Sequence, residues 1–472
     1  MMKDMTYAGV MSRKNEIMKR ALRMDYEKFE GPGISFDYEG MMEQAGYSME
    51  EVRRIQRSVG VGDTPLLELK NLTAAVRKMA EPGKGARIFI KDEAANPSGS
   101  FKARRASVSC YYAEQKGYEG VIAATSGNYG AAVASQANMR NLKCIIVQEV
   151  FDSLRVGQPE ILEKGRKCEA YGAEVLQLTV GPELFYVFLR TLEETGFFNA
   201  SLYTPFGIAG VETLGYELAE QVRQRCDRDP DAVVVTNAGG GNLTGTARGL
   251  LKAGAEDTRV IGASVDLQGL HMASDRDFNR KSFTTGHTGF GVPFCTWPDR
   301  ADVPRNAARP LRYMDRYVTI TQGEVFYITE ALAQLEGLER GPAGNTSLTA
   351  AFALAREMGE DQVVVVQETE YTGAGKHLTA QLTFARERGI EVRRGNPRDQ
   401  VPGKSIILPS DPSLIGVRDL DMEQLRKSYL KNSLRKNEGF SSDLGDAELD
   451  FLAREIRKDI PHVRSVLNEL GL

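Results

Sequence analysis

Ala232-Val233-Val234-Val235 runs, through Thr236, into Asn237-Ala238-Gly239-Gly240-Gly241-Asn242-Leu243-Thr244-Gly245. Four consecutive apolar residues, most of them β-branched, suit a strand covered on both faces. The glycines that follow let backbone amides close on an anion without side-chain obstruction. The same step from apolar run to glycine- and hydroxyl-bearing turn recurs along the chain. Val121-Ile122-Ala123-Ala124 leads into Thr125-Ser126-Gly127-Asn128-Tyr129-Gly130, and Val363-Val364-Val365-Val366 leads towards Glu370-Tyr371-Thr372-Gly373-Ala374-Gly375-Lys376-His377. Further runs at 87–90, 144–147, 174–178, 260–263 and 318–320 are separated by longer amphipathic stretches. Strands alternating with helices predict an α/β fold around mostly parallel sheet.

Asn96-Pro97-Ser98-Gly99-Ser100-Phe101-Lys102-Ala103-Arg104-Arg105 sets Lys102 where a turn enters a helix beginning near Ala103. A lysine there can present its amine to a ligand held over the helix N-terminus, where the dipole favours phosphate. The 125–130 turn offers donors suited to a carboxylate or phosphate; the plainer reading is a helix cap made by Ser126 or Asn128. A dinucleotide fingerprint would need glycine at Thr244, and no G-x-x-x-x-G-K-[ST] occurs, which disfavours a dinucleotide or ATP site.

The 472 residues are 42% hydrophobic and 26% charged, an ordinary composition for two or three packed units. Sixty basic against 64 acidic residues, a net charge of -4, give no reason to expect nucleic acid or an anionic membrane as partner. Cys110, Cys144, Cys168, Cys226 and Cys295 lie far apart without metal-ligand spacing, so they read as reduced thiols of a cytoplasmic protein holding no metal. No apolar stretch is long enough to cross a bilayer. Residues 1–60 are rich in charge and Met, with Met18, Ala21, Leu22 and Met24 at helical spacing. Glycines and prolines between 283 and 316 predict a long ordered loop, and the polar chain beyond about 400 predicts two helical segments. Pro461 marks a kink or a fresh helix start in the second.

Six motifs, each modest alone, fall in one order: Gly62-Asp63-Thr64-Pro65-Leu66, Ser98-Gly99-Ser100-Phe101-Lys102, Thr125-Ser126-Gly127-Asn128, Gly239-Gly240-Gly241-Asn242, Glu336-Gly337-Leu338 and Thr372-Gly373-Ala374-Gly375-Lys376. Across residues 60–390 this resembles the fold-type II pyridoxal-phosphate (PLP) enzymes, among them threonine synthase, tryptophan synthase β and serine/threonine dehydratase. The resemblance implies two open, mostly parallel sheets flanked by helices, with N- and C-terminal helical extensions. It implies an extension at 1–60, a large PLP-binding domain from 61–95 and 205–400, a small domain at 96–204 inserted in it, and an extension at 401–472. Lys102 would form the Schiff base and carry protons. Asn128 would meet the phenolic oxygen of PLP. Ala238, Gly239, Gly240, Gly241, Asn242 and Leu243 would surround its phosphate, and Thr372 would face the pyridine nitrogen. Thr125, Ser126, Gly127, Asn128 and Tyr129 would take the substrate carboxylate.

A narrower resemblance rests on Arg104-Arg105 in place of the Asp-Arg usual after the lysine, the insert Thr284-Thr285-Gly286-His287-Thr288-Gly289-Phe290-Gly291, the stretch 367–377, and the N-terminal extension. From about Tyr7 to the low 400s the chain is similar to the PLP-carrying subunits of thiolases that act on 2-amino-4-oxopentanoate. That implies cleavage with coenzyme A to alanine (D in ornithine degradation) and acetyl-CoA. It also implies a small α subunit as partner and a homodimer of this chain within a hetero-oligomer. The thiol of coenzyme A would attack the C4 ketone directly, or an enzyme thiol would do so first. Cys295 and His287 in the irregular loop are the acyl-transfer candidates, although a cysteine is more often a core residue. The alternative is a threonine synthase-like or other β/γ-replacing or eliminating PLP lyase on a small amino acid.

Overall fold

The computed structural model describes residues 3–435 and 444–471, apart from Ser126, Ser153, Pro182, Leu202 and residues 268–281, 285–304 and 372–373. Among the described residues, seven strands form one sheet in the order β1 (Leu66–Glu68), β2 (Arg87–Asp92), β10 (Val363–Glu368), β7 (Ala232–Thr236), β8 (Arg259–Val265), β9 (Arg316–Ile320), β13 (Arg418–Asp419). Its five inner strands are parallel, and β1 and β13 close the edges antiparallel. A second, all-parallel sheet has the order β5 (Glu174–Thr179), β4 (Lys143–Phe151), β3 (Gly120–Thr125), β6 (Phe198–Asn199). Every apolar run read as a strand is one, and the fold is α/β with two open, mostly parallel sheets.

The continuous apolar runs hide a period of two. Ile88, Ile90, Val234, Val364 and Val366 face the core beneath the helices Gln322–Glu336 and Pro342–Ala355. Phe89, Val233, Val235, Val363 and Val365 face the opposite core, shared with the long helix Pro205–Cys226. Each such side chain contributes roughly 1.5–3 kcal/mol by leaving water, which is why neither face carries a polar residue in these runs.

The N-terminal segment behaves as its spacing predicts. Met18, Ala21 and Leu22 are buried on the helix Lys14–Leu22 while Lys19 and Arg20 are exposed. Beyond residue 400 the structure departs from the expectation of two helical segments. β12 (Ser405–Pro409) pairs in parallel with β11 (Glu391–Gly395), β13 joins the large sheet, and three helices follow at Met422–Arg435, Asp446–Ile456 and Ile460–Leu470. A strand as short as Ser405-Ile406-Ile407-Leu408-Pro409 carries too little pattern to be told from a loop. Pro461 is a fresh start, because Asp459 caps the last helix by accepting from the His462 N–H.

Both extensions meet on the segment 305–316. Glu455, buried on the helix Asp446–Ile456, pairs with Arg309 (3.2 Å) and Arg312 (3.0 Å) and accepts from the Tyr429 hydroxyl. From the other side, Tyr38 Oη donates to the Ala307 carbonyl (2.9 Å), and the Arg312 guanidinium lies 4.4 Å over the Tyr38 ring. No described helix is long and apolar enough to cross a membrane.

Candidate active site

Lys102 opens the helix Lys102–Gln115, after a one-turn 3-10 segment in which Ser98 (φ 65°) and Gly99 (φ 72°) reverse the chain. Phe101 N donates to Thr369 O (3.0 Å) and Tyr371 N to Gly99 O (2.9 Å), so the lysine turn is stitched to the segment leaving β10. One face of the lysine helix is locked by charge. Arg104, fully buried, reaches Glu93 (2.7 Å) and Glu217 (3.0 Å), and Lys91 reaches Glu217 (2.5 Å). Burial would raise the Glu217 pKa, but Arg104 and Lys91 together hold it down to about 2. The cluster pins the helix to β2 and to the long helix Pro205–Cys226.

The other face is looser. Lys102 Nζ stands 3.9 Å from Glu370 Oε2 and 4.6 Å from the centre of the Phe101 ring, with its side chain 24% exposed. Burial brings its pKa down to about 8, against the attraction of Glu370 and with help from Lys164 and Arg105. A sizeable neutral fraction near neutral pH makes this amine a nucleophile. Lys164 Nζ is also 3.9 Å from Glu370 and pairs with Glu160, while Lys167 Nζ donates to the Ser98 carbonyl (2.6 Å). Glu368, at the end of β10, is fully buried, and burial pushes its carboxyl well above the usual carboxylate range.

Two strand-ending turns flank this lysine. After β3, the Thr125 hydroxyl accepts from Gly127 N (3.0 Å) and Gly130 N (3.3 Å), so Thr125 acts as a cap at this helix start. Tyr129 Oη donates to Ala200 O (2.6 Å). Of the residues assigned to a substrate carboxylate, Thr125 and Gly127 are thus bonded to each other, and Tyr129 is anchored towards β6. Asn128 Nδ2 is buried with no hydrogen-bond partner among the described residues.

After β7, Gly240 (φ 82°) caps the helix Gly241–Lys252. A Cβ at Gly239 would lie 1.7 Å from Tyr203 Oη, one at Gly240 2.5 Å from Pro310 Cγ, and one at Gly241 2.6 Å from Arg105 Nη2. A side chain at 239 or 241 would have to displace the end of Tyr203 or Arg105, and at Gly240 the left-handed φ and the Pro310 ring leave no room for one. Asn242, 6% exposed, has neither side-chain atom hydrogen-bonded among the described residues, and the same holds for Asn237. Leu243 points into the core, leaving only its amide for a ligand, and Ala238 is half-buried. Thr372, Ser126, His287 and Cys295 lie outside the described residues. Burial pushes the thiols of Cys110 and Cys168 up to about 12 and that of Cys144 well up, so these three are core residues. No group of three or more His, Cys, Asp or Glu among the described residues could hold a metal.

A nucleophilic lysine at a helix start beside a glycine cradle, at the strand ends of a parallel sheet, defines a class of enzyme. The chain belongs to the pyridoxal-phosphate dependent enzyme family, whose profile matches residues 57–369. A pyridoxal 5'-phosphate-dependent aspartate racemase shares the fold, with a TM-score of 0.53 at 18% identity, over 68% of this chain and 95% of that one. Within the family, the chain is 67% identical over its whole length to a 2-amino-4-ketopentanoate thiolase beta subunit from an unidentified prokaryote, covering all of that protein. It is equally similar, 67% over 470 residues and all of both chains, to the 2-amino-4-ketopentanoate thiolase beta subunit of Acetoanaerobium sticklandii. The residues present fit PLP: an amine for its aldehyde, a buried amide donor at Asn128 awaiting an acceptor, and a cradle where the Asn242 amide awaits partners.

Sequence reasoning assigns no site role to Glu368, Glu370, Lys164 or Arg105. Only Arg105 carries a local signal, standing one helical turn from Lys102 on the same face.

Proposed function

We propose that this chain is the PLP-carrying subunit of a thiolase that splits 2-amino-4-oxopentanoate with coenzyme A. The observation that carries the reading is the 67% identity over the full chain, including both extensions outside the 57–369 family match. The C3–C4 bond breaks, C4 gains a bond to the coenzyme A sulfur, and the thiol proton ends on C3. The products are alanine, in the D form within ornithine degradation, and acetyl-CoA. When bound, PLP supplies an electron sink for negative charge developed on the amino-acid carbons.

The chain's own residues supply the rest. Lys102 would hold the cofactor through its amine and would serve as the base that moves the proton at Cα. Glu370, 3.9 Å away, steadies that amine while it is protonated. Asn128 would donate to the phenolic oxygen, and the amides from Ala238 to Leu243 would take the phosphate. Thr372, outside the described residues, would face the pyridine nitrogen with a neutral hydroxyl. Ser126, Asn128 and the Tyr129 amide receive the substrate carboxylate, and Thr125 shapes that turn as its cap. His287 and Cys295, in the glycine- and proline-rich segment 283–316, are the acyl-transfer candidates, and the buried thiols of Cys110, Cys144 and Cys168, pushed up by burial, do not compete for that role. A small α subunit completes the coenzyme A site at a junction with this chain, which itself pairs as a homodimer; ligand sites favour such junctions.

The test is a substrate panel on the purified chain with and without a small partner. Acetyl-CoA should form from 2-amino-4-oxopentanoate and coenzyme A with the partner, and poorly without it. Turnover of threonine or O-phosphohomoserine, with no acetyl-CoA under either condition, would transfer the chain to the replacing and eliminating lyases.

A further inference from the structure

Arg105 is buried on the lysine helix, 4% exposed, with its guanidinium 5.3 Å from the centre of the Phe101 ring. Its two terminal nitrogens press on the glycine loop, because a Cβ at Gly241 would stand 2.6 Å from Nη2 and 3.0 Å from Nη1. Lys102 and Arg105 are three residues apart, so both project from one face of the helix. In PLP the aldehyde and the phosphomethyl group leave adjacent ring carbons. A helix that offers an amine at one position and a guanidinium one turn later matches that pair of substituents. Beside Arg105 the loop presents Asn242, buried and with no partner for its side-chain amide among the described residues.

We propose that Arg105 binds the cofactor phosphate, as the one charged member of a cradle otherwise made of backbone amides. A guanidinium suits a phosphate because its planar fork matches two of the oxygens at once. Backbone amides alone leave a dianion only partly compensated inside the protein, and a fixed cation completes the compensation. Burial lowers the Arg105 pKa, with the phenols of Tyr203 and Tyr129 as the groups opposing that shift. A dianion in the cradle would reinforce the protonated state. The proposal rests on the glycine loop being the phosphate site, so its test carries a separate probe of that loop.

Apoenzyme affinity is measured for PLP and for pyridoxal, which lacks the phosphate, in Arg105→Met, Arg105→Lys and Asn242→Asp. Methionine fills similar space without charge, and an aspartate near a helix N-terminus suits the fold while repelling a phosphate. Arg105→Met should weaken PLP binding about 100-fold and leave pyridoxal within about twofold, with Arg105→Lys between it and the parent. Phosphorus NMR of the bound cofactor should show a phosphate held as a dianion across about pH 6–9 in the parent and titrating in Arg105→Met. If Asn242→Asp discriminates PLP from pyridoxal but Arg105→Met does not, the loop holds the phosphate and the Arg105 proposal fails. If neither variant discriminates, the phosphate lies elsewhere and both assignments fail. An equal loss of both ligands in Arg105→Met, with Arg105→Lys restoring both, would make Arg105 a packing residue.

Discussion

Arg104 and Lys102 sit two residues apart on one helix and live in opposite electrostatic worlds. Around Arg104 every cation meets a carboxylate at 3.0 Å or less, in a cluster of Lys91, Glu93, Arg104 and Glu217 that is almost fully buried. Around Lys102 the nearest carboxylate is 3.9 Å away and shared with Lys164, and the amine titrates near 8. Tightly matched charges hold elements in place; loosely matched ones keep an amine available for reaction. The helix thus presents a structural face and a chemical face, and the two should fail differently when cut.

The largest contrast comes from Lys102→Ala. It should abolish turnover and the visible absorbance of the holoenzyme while leaving thermal stability close to the parent. Borohydride reduction of the parent followed by peptide mapping should place the pyridoxyl group on Lys102; a label elsewhere would remove that lysine from its role. Arg104→Met should do the reverse, costing about 3–5 kcal/mol of folding stability by stranding two buried carboxylates. Denaturant titration reads it, and any fraction that folds should still colour with PLP. A stability loss under about 1 kcal/mol would show the cluster to be dispensable.

The pH dependence sharpens the chemical face. Only the neutral amine attacks PLP, so capture by apoenzyme should rise about tenfold per pH unit below the Lys102 pKa of about 8 and level off above it. Glu370 raises that pKa, so Glu370→Gln should move the break to lower pH. Stopped-flow traces that break at the ordinary lysine value, or a break that moves upward in Glu370→Gln, would contradict the geometry. The smallest effect belongs to Thr125→Val. Its hydroxyl caps the helix Asn128–Asn138, so the loss should be about 1 kcal/mol of stability with PLP affinity little changed. A large loss of substrate affinity instead would make Thr125 a substrate ligand.

The longer strands of both sheets, β2 to β5 and β7 to β10, were legible because their apolar runs are continuous and end in turn residues, whereas β1 and β6, three and two residues long, were not. Lys102 and Gly239–Gly241 stood out as candidates for a related reason: the roles proposed for them depend on local backbone, which neighbouring residues announce. β11, β12 and β13 escaped notice because each is short and partly polar, so nothing in their pattern outweighs a loop. Glu370 and Lys164 could not be read because Glu370 reaches Lys102, and Lys164 reaches Glu370, from distant parts of the chain. At the turn after β3 composition alone leaves the cap open among several polar side chains, and geometry shows Thr125 accepting from the Gly127 and Gly130 N–H groups. Gly240 also gains a meaning absent from its sequence context. With φ at 82° and Pro310 against it, any side chain there would disturb the fold before it touched a ligand.

The contact of Pro310 with Gly240 has a consequence for how the protein is made. Arg309 donates its backbone N–H to Thr244 at the start of the cradle helix, and its guanidinium is held by Glu455 and Tyr429. The glycine loop is written at residue 239, yet its last support arrives more than two hundred residues later in synthesis. Order of translation therefore sets order of maturation: a nascent chain arrested before Glu455 has emerged should fold its parallel sheets but capture PLP weakly, and release past that point should let the colour develop.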